Sequence, residues 1–252
     1  MFDVIKYLEK EYPYYLQERW DHSGNQVGNK IEKVSKIILC LDYTSKVNKV
    51  RKDFKPDLII SHHPFFFGDK REIILSNPIK REMAYGILND NQALYSFHTC
   101  YDNSIKGMNY QACKLLGLKN TYVHPFCQTM HIGYLEKEMD IKEFSTLVKE
   151  KLNVPYILSS INNNSKIKKV GVILGGGASF YIDSSIEKCD IYISGDMSHH
   201  TRLEIEELNL NYFDIPHEVE KIFMYALKEK LLKQDPTLEI VIVDDQKMPV
   251  IL

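Results

Sequence analysis

Five short runs in this chain are nearly continuously apolar rather than alternating. They are Lys36–Asp42 (KIILCLD), Asp57–Ser61 (DLIIS), Ala93–Phe97 (ALYSF), Lys169–Leu174 (KVGVIL) and Asp190–Ser194 (DIYIS). A strand that faces water on one side alternates; a strand without alternation is covered on both faces. Such strands belong to sheets sandwiched by helices, and the stretches between these runs carry helical spacing. Thr44–Asp53, Pro78–Leu88, Met108–Leu116, the run from Asp140 through Leu152, Ser198–Leu208 and His217–Leu232 all fit helices. Pro78 stands at a helix start, Asp140 at an N-cap and Gly117 at a C-cap. The expected fold is therefore α/β, with layered α/β/α organisation and largely parallel or mixed sheets.

The pattern changes after VHPFC, near Tyr122–Gln128. Two lobes are expected, 1–125 and 126–214, with 215–252 returning to the first. No internal repeat and no low-complexity tract interrupts this scheme.

The bulk chemistry excludes several roles. The formal net charge is -2, so no strong positive field favours nucleic acid or an anionic membrane. No apolar run approaches the roughly 20 residues a membrane span needs. The first residues (MFDVIKYLEKEY) place acids in their opening turns and do not read as a signal peptide. Five scattered cysteines, never spaced Cys-x-x-Cys, read as reduced buried thiols of a cytoplasmic protein rather than a disulfide framework or zinc ribbon.

Ligands of open α/β sheets bind beyond the carboxyl ends of the strands. Six of the nine histidines fall at such ends: His62, His63, His98, His199, His200 and His217. In a regular strand His62 and His63 would point to opposite faces. Both reach one site only if the chain leaves strand geometry there, which Pro64 favours; the plainer alternative is an exit loop with one packed and one solvated imidazole. His98 and Asp102 share one side of a helical turn if that segment is helical, although Asp102 also suits a cap. His217 and Glu220 share a face at a helix start, where Glu220 also suits the helix dipole. Four imidazoles (His62, His63, His98, His217) and two carboxylates (Asp102, Glu220) suit Zn, Mn or Fe. Six ligands exceed one tetrahedral site and match two ions, with Asp102 as the natural bridge. The Gly175–Gly177 loop reads either as a tight turn or as a phosphate cradle.

Seven stretches occur in a telling order: WDHSGNQVG (Trp20–Gly28), LDYT (Leu41–Thr44), DLIISHHPFFF, SFHTCYDNSIKGMN (Ser96–Asn109), GGGASF (Gly175–Phe180), DIYISGDMSHH and FDIPHEVEK (Phe213–Lys221). Together the chain resembles the family known as GTP cyclohydrolase I type 2 homologues, or NGG-one-interacting-factor-three-like proteins, over almost its whole length. The resemblance implies a two-lobed protein with a dinuclear metal site in a cleft. Carried over by motif, the ligands are His62, His63, Asp102, His217 and Glu220. His98 lies in or beside that shell and His200 faces the site or substrate, so these two are the implied proton-handling residues. A cytoplasmic ring-shaped homohexamer is implied, with a nucleotide-like small-molecule substrate. Asn25 departs from the family's usual Leu, and Pro216 from a frequent Gly.

The expected function is metal-dependent hydrolysis. The family name points to ring opening of GTP, and hydrolysis of another nucleotide or a phosphoester uses the same kind of centre. The alternative is a metal-binding scaffold, chaperone or regulatory protein without turnover.

Overall fold

The structure is a computed structural model and describes residues 3–29, 31 and 33–250. Strands and helices alternate as the apolar runs require. The strands are β1 (Gly24–Val27), β2 (Lys36–Cys40), β3 (Leu58–Ser61), β4 (Ala93–Ser96), β5 (Lys119–Val123), β6 (His131–Met139), β7 (Leu158–Ser160), β8 (Ile167–Val172), β9 (Ile191–Ser194), β10 (Asn211–Asp214) and β11 (Glu239–Ile242). The helices are α1 (Val4–Glu11), α2 (Ser45–Phe54), α3 (Lys70–Ser76), α4 (Pro78–Asn89), α5 (Thr99–Asp102), α6 (Met108–Leu115), α7 (Ile141–Leu152), α8 (Tyr181–Ile186), α9 (His199–Glu207) and α10 (Ile222–Gln234). The chain is an α/β protein that divides into two compact units. One comprises Met1–Ser104 with Phe223–Gln246, the other Ile105–Ile222 with Lys247–Leu252. No described helix is long and apolar enough to cross a membrane.

The first unit holds a five-stranded sheet in the order β1-β4-β3-β2-β11. Only β1 runs antiparallel to its neighbour; β11, β2, β3 and β4 are mutually parallel. Ile37, Ile38, Leu39 and Cys40 are all fully buried, as are Leu58, Ile59 and Ile60. Successive residues point to opposite faces, so both faces of these strands are covered. One face packs Ile38, Ile59 and Leu94 against Val47 of α2 and Met83, Ala84 and Ile87 of α4. Full burial of each of the larger of these side chains contributes about 1.5–3 kcal/mol. The parallel register sets Cys40 opposite Ser61 and Ser61 opposite Ser96. Three strands therefore end level, and the loops that leave them start side by side.

The second unit holds a six-stranded sheet, β5-β6-β8-β9-β10-β7. Its centre, β8-β9-β10, is parallel, and the flanking pairs are antiparallel. Its core gathers Ile132, Ile173, Tyr192, Ile205 and Tyr212. Again the parallel strands end together, with Val172 opposite Ile193 and Ser194 opposite Asp214. The loops beyond those ends carry Gly175, Asp196 and His217 respectively.

Candidate metal centre

In the first unit the backbone resolves how adjacent histidines serve one place. The amides of His62 and His63 both donate to the carbonyl of Leu41, at 3.1 and 3.0 Å. Two successive N–H groups aimed at one acceptor cannot occur in an alternating strand, so the chain has left strand geometry at His62. The hydroxyls of Ser61 and Ser96 donate to the His63 carbonyl at 2.8 and 3.1 Å and hold this turn. The two imidazole centroids then stand 5.0 Å apart. His98 arrives from the end of β4, with its ring 5.2 Å from His62 and 5.4 Å from His63. One ligand atom from each of the three lies within 4.8 Å of the others.

Each ring is oriented through Nδ1. His62, fully buried, hydrogen-bonds the Phe97 carbonyl at 2.9 Å. His63 meets Asp42 Oδ1 at 2.9 Å, and Asp42 Oδ2 accepts from Gln246 at 3.1 Å. His98 meets Asp21 Oδ1 at 2.9 Å. With Nδ1 so engaged, Nε2 is the nitrogen each ring presents for ligation, the arrangement metal-binding histidines generally use. Asp21 is itself buried and accepts from the Thr99 amide (3.1 Å), the Thr99 hydroxyl (2.6 Å), the Ser23 hydroxyl (2.7 Å) and the His22 amide (2.6 Å). Burial alone would raise its carboxyl pKa. The His98 bond and the hydroxyl donors outweigh that and hold it well below the usual carboxylate range.

Asp102 closes this group. The α5 turn places it four residues after His98, and its Oδ1 lies 3.7 Å from His62 Nε2. That is longer than a hydrogen bond. It suits two ligands of one ion, which lie about 2.1 Å from the metal and roughly 3–4 Å from each other. The side chain is 12% exposed, so one edge remains reachable.

The second unit builds a smaller group. His217 and Glu220 lie on a 3-10 turn, His217–Lys221, that runs into α10. His217 Nε2 is 3.0 Å from Glu220 Oε2, and its Nδ1 is 2.7 Å from Asp196 Oδ2. The Glu220 hydrogen bond pushes the His217 pKa up to about 9, against the opposing effect of burial, and Asp196 adds to the rise. Pro216, at φ -52° and ψ 134°, caps the turn without distortion, so its departure from glycine leaves His217 on Glu220. The raised pKa has a sign. The imidazolium pairs contribute stability fully below the unfolded value near 6.5 and lose it as pH rises through about 9. In chelator, the urea midpoint is expected to fall across that window, and His217→Ala should remove this part of the pH dependence. A midpoint unchanged from about pH 6.5 to about pH 9.5 in the parent chain would contradict the assignment.

The glycine loop has a steric role here. Gly175 sits at φ +69°, and a Cβ there would overlap the Glu220 carboxylate. Gly195 lies against the carbonyls of Gly175 and Ile215, where a Cβ would come within 2.9 and 2.8 Å. Missing side chains in two loops thus let the backbone close around Glu220. Gly175→Ala is expected to destabilise the chain by roughly 2–4 kcal/mol, combining left-handed strain with a displaced buried carboxylate. A chemical denaturation curve overlapping the parent's would rule that out.

The remaining histidines stand elsewhere. His199 and His200 are exposed in the first turn of α9, where their rings contact each other at 5.5 Å. His200 is not among the donors that gather in either unit, counting described residues. His124 accepts from the amides of Phe126 and Cys127, and His131 bonds the Ile105 carbonyl; both are buried loop anchors. Asn25 donates to the Gly28 carbonyl and the Tyr95 hydroxyl. All five cysteines are buried, and none is joined in a disulfide.

The orienting carboxylates Asp21, Asp42 and Asp196 were the residues that motif spacing did not assign. Asp42 and Asp196 do come two residues past the ends of β2 and β9, so their position was visible while their partners were not. Asp21 lies 77 residues from His98 and carries no periodic signal.

The donor chemistry fits divalent transition metals: imidazole nitrogens with carboxylates, and each ring set in its tautomer by an acceptor behind it. The chain is thus a mixed two-sheet α/β protein whose parallel strand ends carry imidazole–carboxylate groups. Residues 1–249 match the model of Duf34/NIF3 (NGG1p interacting factor 3), and the chain belongs to that family. It is 31% identical to a "GTP cyclohydrolase 1 type 2 homolog" of Clostridium perfringens, covering 98% of this chain and 97% of that one. It is also 31% identical to "NIF3-like protein 1" of Drosophila melanogaster, over 82% of this chain and 72% of the relative. The fold superposes on Staphylococcus aureus protein SA1388 with a TM-score of 0.87 at 20% identity, over 99% of this chain and 98% of that one. It superposes on HcgD from Methanocaldococcus jannaschii with a TM-score of 0.81 at 24% identity, covering 95% of each.

Proposed function

We propose that the chain is a metal-dependent hydrolase that uses two divalent ions, Zn, Mn or Fe, and acts on GTP or another nucleotide. His62, His63 and Asp102 would be ligands in the first unit, and His217 and Glu220 in the second. The observation that carries this reading is the trio His62, His63 and His98, each anchored at Nδ1, with donor atoms inside 4.8 Å. Such preorganisation serves ligation better than packing, because a core imidazole needs no company of its own kind. When bound, the ions would supply a water activated near neutral pH and a positive charge for developing oxyanions. The protein's share is positioning and proton handling. His98, held by Asp21, keeps Nε2 beside the His62 and His63 rings, where it can take or return a proton. His200, exposed on α9, is the second proton carrier in this reading. Asp102, whose Oδ1 lies 3.7 Å from His62 Nε2, would supply a carboxylate ligand beside that imidazole. A cytoplasmic homohexamer accompanies the proposal, supported by the family resemblance.

The test is chelation followed by restoration. Turnover of GTP, or of a nucleotide phosphoester, should vanish in EDTA and return with Mn, Zn or Fe. Turnover that persists in chelator would sink the proposal. Two tightly held metals per chain with no turnover across a nucleotide screen would favour the scaffold reading instead.

A further inference from the structure

The run Phe65–Phe67 divides sharply. Phe65 and Phe66 are each 3% exposed, whereas Phe67 is 58% exposed. Phe67 meets Trp20, itself 54% exposed, at 5.8 Å between ring centroids. Both rings also touch His98, Trp20 at 5.6 Å and Phe67 at 6.3 Å. His22 completes the group, 6.3 Å from Phe67. Two large aromatic side chains are therefore left in water beside a histidine whose tautomer is fixed, although each would gain by burial.

We propose that Trp20 and Phe67, whose ring planes are inclined at 47°, form an aromatic platform on which a flat heteroaromatic ring, as in a purine nucleotide, stacks against one ring and meets the other at its edge. The inference rests on the hydrolase reading for its purpose, since the ring would lie next to His98. Two observations favour a small ring over a protein partner. The platform borders His98 rather than a broad apolar face. Its other neighbour is a polar cavity of about 230 Å³ lined by His22, Ser23, Asn25 and Lys70. A ring on the platform would direct a sugar or phosphate tail toward that cavity, with Lys70 supplying positive charge. Stacking tolerates many ring types because every base has a π-face, so the platform sets a preference for planarity more than for one base.

Trp20 is the only tryptophan in the chain, so its fluorescence reports this surface alone. The experiment titrates metal-free protein, in chelator, with guanosine monophosphate and with ribose 5-phosphate, correcting for absorbance. Guanosine monophosphate should quench Trp20 saturably, and ribose 5-phosphate, which has the tail without the ring, should not. Phe67→Ala keeps the reporter and removes only an exposed side chain; its affinity for guanosine monophosphate should fall about tenfold, near the low end of one base–aromatic stack. Equal responses to both probes, an unchanged Phe67→Ala, or absence of saturation would overturn the platform. So would a Trp20 emission that shifts with protein concentration and ignores the nucleotide, which would mark the patch as a contact between copies. Saturable, ring-dependent quenching in a chain that binds no metal would support the platform while removing the hydrolase reading. Metal-dependent turnover without ring-dependent quenching would remove the platform alone.

Discussion

His63→Ala should bind divalent metal at least about 100-fold more weakly than the parent chain, because losing a ligand costs more than the roughly 10–100-fold loss typical of its supporting partner. His63 is suited to this test. Its backbone is fixed by two serine hydroxyls and the Leu41 carbonyl, so removing the ring leaves the turn in place. The ring is also partly accessible, with 20% of the side chain exposed, so its loss opens no deep core cavity. Asp42→Asn provides the graded control. It weakens the acceptor behind His63 Nδ1 without touching the ligating nitrogen, and a loss of about 10–100-fold is expected. Metal content per chain, measured after dialysis, separates the two variants. Parent-like content in His63→Ala would show that this imidazole holds no ion.

Asp21→Ala should have the largest effect on stability, roughly 3–5 kcal/mol, because it removes a buried carboxylate that accepts from five donors at once. The carboxylate serves the His98 ring, two backbone amides and two hydroxyls at once. Its loss leaves the buried Thr99 amide and hydroxyl, and the half-buried donors beside them, without their acceptor. Asp21→Asn should recover only part of the deficit, because an amide cannot accept at both ends. The same depressed pKa gives an acid limb. Asp21 contributes stability above its unfolded value near 4, and that contribution is lost as pH falls through its lower folded value. Urea midpoints of parent and Asp21→Ala should therefore converge toward low pH. A constant gap between about pH 7 and about pH 2 would assign the loss to packing rather than charge.

Unbroken apolar runs mark the strands buried on both faces, while Thr129–Leu135, Tyr156–Ser160, Asn211–Phe213 and Leu238–Val243 read as strands on weaker patterns and correspond to β6, β7, β10 and β11. β2, β3, β4, β8 and β9 announce themselves through continuous apolar runs, because both faces of each are covered. β1 and β5 did not. Their sequences, GNQV and KNTYV, belong to edge strands, where one partner suffices and polar side chains face outward. Helix α3 also escaped, being seven residues long with no fully buried side chain and hence no apolar stripe to read. At the site, residues close in sequence were legible as pairs: His62 with His63, His98 with Asp102, His217 with Glu220. The carboxylates that aim the rings were not, because their partners are set by strand register and not by spacing. Asp42 and His63 meet only because Cys40 lies opposite Ser61. The glycine loop was open to two readings, and the carboxylate it wraps stands far along the chain, at Glu220.

One strand has a consequence for how the protein is made. β11 comes last, yet it pairs with β2, near the beginning, aligning Ile240 with Ile37 and Ile242 with Leu39. While the ribosome is still adding residues, the outer rim of β2 has no neighbour and displays a bare ladder of amides and carbonyls beside its apolar side chains. Such a rim recruits other chains. A stop codon shortly before Glu239 would make that transient condition permanent. A product of that length is expected in inclusion bodies rather than in the soluble fraction, although every proposed metal ligand would be present.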